Sequence, residues 1–372
     1  MSNAKLPSPA ITPEPAQPQA SGGTQRRSFL KGLGMAGATI TAGALLAGKS
    51  RAQTKSAAPL SSGDIAILRF LAAAELIESD LWTQYAELGG LSTGTQNPYQ
   101  LALQVLDGDG SQYITSNTLD EVSHATFLNA YLKMKGAPQV NFNKFRTLPS
   151  SQATGAKQIG RLTNLMNLTV DTSWYTRYRS STNPDFGASF PQAIDLDGVT
   201  AIPRDNSDFG PGNHIQAIAN TAAFHFGFIE QGGSSLYSAM AQKAHDVEVL
   251  RIVLSIGGDE IAHFLEWVDF SGNGVQTPVA PFTDPTNGLT FPDFNATHNP
   301  LLQTNLIFPV PCEFISASLP HASVIRPTDP TGIAAGAVKS LTDDGLFIGQ
   351  TTEFVDTLNA LAAAADAAVR GF

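Results

Sequence analysis

The sequence predicts an all-α fold, a four-helix bundle with a long crossover and an irregular C-terminal extension. Three observations predict it. Four segments carry broad apolar faces at spacings of three and four residues. Their connections run short, very long and short. Two of the helices repeat one pattern, Asp-Glu-x-x-His, as "DEVSH" (Asp120–His124) and "DEIAH" (Asp259–His263).

Residues 1–25 are rich in Pro, Ala, Ser and Gln and lack a hydrophobic pattern. "QRRSFLK" (Gln25–Lys31) follows, then a Gly/Ala-rich apolar run of about 17 residues, marginal for spanning a bilayer, and then "KSRAQ". The order resembles a twin-arginine export signal, with Arg26 and Arg27 as the pair and Ser50-Arg51-Ala52 fitting cleavage after Ala52. The expected location is periplasmic or extracellular, reached through the twin-arginine export machinery, with no stable membrane anchor after cleavage. Removing residues 1–52 takes away six basic residues and one acidic residue, shifting the formal charge from −10 to −15. So acidic a chain is a poor partner for nucleic acid or anionic membranes. The single cysteine, Cys312, excludes an internal disulfide framework and a cysteine-based zinc or iron–sulfur cluster. Any bound metal must be held by carboxylates and histidines.

The first helix is expected from Ser61 or Ser62 to Gly89-Gly90, with Ile65, Leu68, Leu71, Ala72, Glu75, Ser79 and Trp82 on one face. The second, "SNTLDEVSHATFLNAYLKMKG", is ended by Gly136 and Pro138. Residues 137–212 read as a long crossover rather than a separate domain, with a short helical candidate around Gln158–Leu168 and an aromatic patch at Trp174–Arg179. The third helix starts after Asn213, a polar break falls at Lys243–Asp246, and the fourth runs from Val247 to Ser271-Gly272. The bundle thus occupies residues 62–270. Residues 271–372 form the extension, Pro-rich at first and closed by the Ala-rich helix "TTEFVDTLNALAAAADAAVRGF".

Residues i and i+3 of a helix face the same way, so Glu121 with His124, and Glu260 with His263, each offer a carboxylate and an imidazole to one point. The fourth-helix pair shares its face with Ile256, Phe264 and Trp267, and the second-helix pair with Asn117, Ala125 and Leu128. Buried carboxylates and imidazoles are costly unless compensated, and two divalent cations would compensate them. With 11 Glu and 7 His in 372 residues, a chance Glu-x-x-His is expected roughly 0.2 times, so two on separate long helices favour a metal site. A di-metal bundle needs one further Glu from each remaining helix. Glu75 supplies the first, with Glu78 as its rival, and Glu230 the second. Glu230 precedes Glu260 by 30 residues, the interval a helical hairpin needs to bring both to one level. Gly232-Gly233 suggests close approach of a neighbouring backbone there. The expected ligands are Glu75, Glu121, His124, Glu230, Glu260 and His263. Four carboxylates against two divalent ions leave the site neutral. One imidazole per metal among oxygens suits iron or manganese better than structural zinc.

Glu…Glu-x-x-His…Glu…Glu-x-x-His on four helices resembles the ferritin-like di-iron carboxylate superfamily. "EQGGSSLYSAM" leading by 30 residues to "DEIAH" is similar to the branch of plant desiccation-related proteins and their exported bacterial relatives. The resemblance covers residues 62–270, and the tail is typical of that branch. It implies a ferritin-like bundle with two iron or manganese ions. The long crossover and tail depart from ferritins and argue against a storage shell. The function expected is reaction with O2 or peroxide in stress protection. Rival readings are a non-enzymatic desiccation scaffold with an empty or structural site, and a manganese catalase-like enzyme. The sequence gives no support to hydrolase or nucleotide-binding readings.

Other titratable residues are expected elsewhere. His225 reads as a satisfied core histidine, His214 and His245 as helix-end residues in caps or solvent, and His298 and His321 as tail residues without ligand-spaced neighbours. Glu266 reads as part of a solvated face rather than as an orienting partner of His263, and Tyr237 as core.

Overall fold

In the computed structural model, which describes residues 59–91, 97–177, 191–210, 212–277, 279–299, 302, 309–312, 315–323 and 329–371, Ser61 opens the first helix. Its hydroxyl accepts the Asp64 amide at 2.9 Å, which caps α1 (Ser62–Gly89) as expected. The expected export segment, residues 1–52, lies outside the described residues. A nine-residue helix the sequence reading left as a connection, α2 (Pro98–Leu106), follows with Asn97 as cap and Pro98 in its first turn. The second long helix, α3 (Gly110–Met134), starts six residues before the expected Ser116. Gly110 lies under Phe270, where an added Cβ would sit 2.6 Å from the ring, so the helix start is packed rather than frayed.

The crossover corrects one expectation. No helix forms around Gln158–Leu168: Arg161 pairs with Leu148 in a β-bridge, and the Leu162 and Thr163 amides donate to the Asp80 carboxylate on α1 at 2.9 and 3.0 Å. Amides bound to a distant carboxylate are not available for an i→i−4 ladder. The segment ends in β1 (Leu168–Val170), which pairs antiparallel with β2 (Leu196–Val199) around the short α4 (Trp174–Arg177). Trp174 then docks on the next helix, α5 (His214–Lys243): its indole donates to the Phe224 carbonyl at 3.0 Å, and its ring lies where a Cβ on Gly227 would stand. The described residues of the crossover therefore pack into the same core as the helices.

Of the 30 residues of α5, 25 are buried, which marks it as the central helix. Asp246 caps α6 (Val247–Asn273) through the Glu248 amide. Helix α1 packs chiefly along α3, and α5 along α6, and the two pairs meet through α1 with α5 and α3 with α6. The tail holds two strand pairs, β3 (Phe282–Thr283) with β4 (Thr290–Phe291) and β5 (Pro309–Val310) with β6 (Ala322–Ser323). It also holds a helix absent from the sequence reading, α7 (Ile333–Asp343), before the expected terminal α8 (Thr352–Asp366). Both final helices lie against the long ones, α7 on α5 and α8 on α1. Among the described residues the protein is mostly helical, and no helix is long and apolar enough to cross a membrane.

Candidate metal centre

The four long helices bring six predicted residues to one buried place. Glu75 comes from α1, Glu121 and His124 from α3, Glu230 from α5, and Glu260 and His263 from α6. The four glutamates are at most 1% exposed and the two histidines 6–8%, so water does little to solvate their charges. Their donor atoms form two groups, each within 4.8 Å and each able to hold a metal ion. One comprises Glu75, Glu121, His124 and Glu260, the other Glu121, Glu230, Glu260 and His263. Glu121 and Glu260 belong to both. Glu78, the rival to Glu75, is half-buried and faces the same carboxylates without entering either group.

The two imidazoles are presented alike. His124 Nδ1 lies 3.3 Å from Glu121, 3.4 Å from Glu75 and 3.7 Å from Glu260. His263 Nδ1 lies 3.1 Å from Glu121 and 3.4 Å from Glu230. The opposite nitrogens face the motif aspartates, each across to the other helix: His124 Nε2 meets Asp259 at 3.2 Å, and His263 Nε2 meets Asp120 at 3.4 Å. A carboxylate on the far nitrogen fixes the ring's orientation and tautomer, which leaves Nδ1 for the centre. Asn117 adds a brace, its amide nitrogen 2.8 Å from Glu121 Oε1 and 3.3 Å from His263 Nδ1, while its oxygen accepts the Trp267 indole N–H at 2.6 Å.

Electrostatics show what the protein part of the centre lacks. Burial raises Glu75 to about 8, and raises Glu230 and, strongly, Glu260; the charge of Glu121 adds to each. Burial opposes the Glu121 charge too, but hydrogen bonds from His124 and His263 outweigh it and hold that carboxyl at about 2. Burial disfavours the His124 imidazolium, yet hydrogen bonds to Glu121 and Glu75 raise it to about 10. His263 is raised likewise, the Glu230 charge and the Asp120 hydrogen bond overcoming its burial. Five buried carboxylate oxygens, one on Glu75 and both on Glu230 and Glu260, make no well-formed hydrogen bond, the nearest imidazole nitrogens standing 3.4 Å from Glu75 and Glu230 and 3.7 Å from Glu260. Such atoms are costly unless a cation or proton meets them, so the donor set fits a pair of divalent ions.

Four features differ from the sequence reading. Tyr237 is core, but its hydroxyl also donates to Glu75 Oε1. The close approach at Gly233 comes from a side chain rather than a backbone: an added Cβ would stand 2.0 Å from Glu260 Oε2. Glu266 is half-buried, and burial raises it to about 7, so it is not a freely solvated group. His214 is likewise not exposed; it sits buried between Asp284 at 2.9 Å and Asp208 at 3.5 Å, away from the centre. His225 is the satisfied core histidine expected, and His245, His298 and His321 are exposed. The aspartates of the two motifs, Asp120 and Asp259, have no role in the Glu-x-x-His spacing itself; their identical place before each glutamate is the signal that marks them.

No protein-family model, curated protein or solved structure matches the chain.

Proposed function

We propose that this protein is an exported, ferritin-like four-helix bundle that binds two iron or manganese ions and reacts with O2 or peroxide in stress protection. One observation carries the reading: Glu121 and Glu260 belong to both four-residue donor groups, so two ions held there would draw on both of these carboxylates. Glu75 with His124, and Glu230 with His263, would complete the two ends. When bound, the ions supply the redox chemistry, exchanging electrons with O2 or peroxide.

The protein's own part is to place and protect. Asp120 and Asp259 hold the two rings with Nδ1 inward, and Asn117 ties Glu121 to the same frame. Tyr237 keeps a proton donor on Glu75. The packed layer of Trp82, Phe226, Trp267 and Phe270 covers one end and excludes water. The export segment read in residues 1–52 and the acidic mature chain fit a protein outside the cytoplasm.

Metal content of the mature protein, purified through its native export route without added metal, tests the proposal. About two iron or manganese ions per chain are expected for the paired donor groups, and near zero for Glu121→Ala, which removes a member of both. A folded wild-type protein without metal would sink the di-metal reading and favour a scaffold. Catalase and ferroxidase assays on the loaded protein then separate peroxide disproportionation from iron oxidation.

A further inference from the structure

A continuous line of oxidisable and proton-accepting side chains runs from the centre to Asp344 at the end of α7. It begins at Asn117, which holds both Glu121 and His263 and accepts the Trp267 indole N–H at 2.6 Å. Trp267 stacks on Trp82, with centroids 5.3 Å apart and planes 23° from parallel. Trp82 lies 5.7 Å from Tyr85. The Tyr85 hydroxyl meets His225 Nδ1 at 2.8 Å, and His225 Nε2 meets Asp344 at 3.1 Å. All these side chains are buried. Asp344 also lines an open cleft of about 450 Å³ with Asp171, Asp195, Lys339 and Asp343.

We propose that Trp267, Trp82 and Tyr85 form a hole-transfer wire, and that the Tyr85–His225–Asp344 relay makes Tyr85 its terminus. The source of oxidising equivalents rests on the di-metal reading: the centre, after reaction with O2 or peroxide, is the oxidant. One electron passes from Trp267 toward the centre, Trp82 refills Trp267, and Tyr85 refills Trp82. Tyr85 is left as a neutral phenoxyl radical, and its proton moves to His225 Nδ1, giving an imidazolium held by Asp344. Oxidation makes a phenol O–H strongly acidic, so a buried tyrosine gives up an electron readily only when a base already holds its proton. His225 is placed as that base. A purely structural core had a less costly option at position 82, since the Trp82 indole N–H is buried without a hydrogen-bond partner and phenylalanine would strand no donor.

The wire can be tested without metal. Laser-flash photoionisation of tryptophan in the full mature chain creates the tryptophyl radical directly, and absorbance follows its conversion to tyrosyl. Tyr113, 6.4 Å from Trp267, and Tyr175, 5.5 Å from Trp174, are the rival acceptors. Tyr85→Phe is expected to lose most of the tyrosyl signal, whereas Tyr113→Phe and Tyr175→Phe keep most of it. His225→Gln is expected to lose the conversion with tryptophyl yield unchanged. In the wild type, whose folding is not in question, D2O is expected to slow the conversion because a proton moves with the electron. A tyrosyl signal that survives Tyr85→Phe, or no conversion in the wild type, overturns the wire. Metal content measured on the same samples keeps the two ideas apart. A chain that binds no metal yet passes the radical to Tyr85 overturns the di-metal reading and not the wire. A metal-loaded chain with no transfer overturns the wire alone.

Discussion

Glu75 shows what burial does to a carboxyl of the proposed centre. Burial raises its carboxyl from 4.5 to about 8. A carboxyl raised on folding stabilises the fold fully below its unfolded value, and that contribution fades as pH climbs through the folded value. The metal-free protein is therefore expected to lose melting temperature between about pH 4.5 and 8. Glu121, lowered to about 2, acts in the opposite sense: its contribution is present above 4.5 and is lost only as pH falls toward 2. On the proposed di-metal reading divalent ions would replace the Glu75 proton, so loading is expected to release protons and flatten this slope. Melting curves at a series of pH values, with and without metal, check both; a metal-free curve that rises toward pH 8 refutes the account. Gly233 is the second residue with a sharp consequence. Alanine there puts a Cβ 2.0 Å from Glu260 Oε2, so the shared carboxylate must move. The expected result is a folded protein, destabilised by about 1–3 kcal/mol, that holds fewer metal ions; melting and metal content measured together read it.

Among the elements, α1 does two jobs with residues five apart. Glu75 faces the centre, while Asp80 fastens the crossover by accepting the Leu162 and Thr163 amides and the Arg146 guanidinium. Asp80→Ala takes the acceptor from two buried amides and from the half-exposed Arg146 guanidinium, and a loss of about 1–3 kcal/mol is expected from denaturant unfolding. A change below 1 kcal/mol would show that the crossover is held by its apolar contacts alone. The long helices were legible because their apolar faces repeat over many turns, as with Leu68, Leu71 and Trp82 on α1. The short α2 and α7 were not, although Asn97-Pro98 and the Ile333, Ala337 spacing carry local signals. Helices of nine and eleven residues are marginal in isolation, and packing decides whether they form. The same principle removes the helix read at Gln158–Leu168, whose amides find partners on α1.

For the whole molecule, the proposed metal centre would link metal to fold. The orphaned oxygens of Glu75, Glu230 and Glu260 come together only in the native state, so ions held there would bind that state alone and add to its stability. At a free metal concentration one hundred times the dissociation constant, the gain is about 2.7 kcal/mol per site. Melting temperature is expected to rise with added iron or manganese and to fall back on chelation; a melting temperature indifferent to both would contradict the linkage.

The sequence by itself determined which carboxylates and imidazoles would share a helix face and at what level. Glu-x-x-His places two donors on one helical face by geometry alone, and the 30-residue interval from Glu230 to Glu260 matches a hairpin. It also determined that the core histidine His225 would be satisfied without naming its partners. Only the tertiary structure decided that Asp120 braces His263 and Asp259 braces His124, because each pair is made across two helices. It alone joined Tyr85, His225 and Asp344, residues separated by more than a hundred positions in each step. Periodicity along a helix reports which side chains share a face; which faces meet depends on helix crossing and on the final fold of the tail. Those are set by packing over the whole chain.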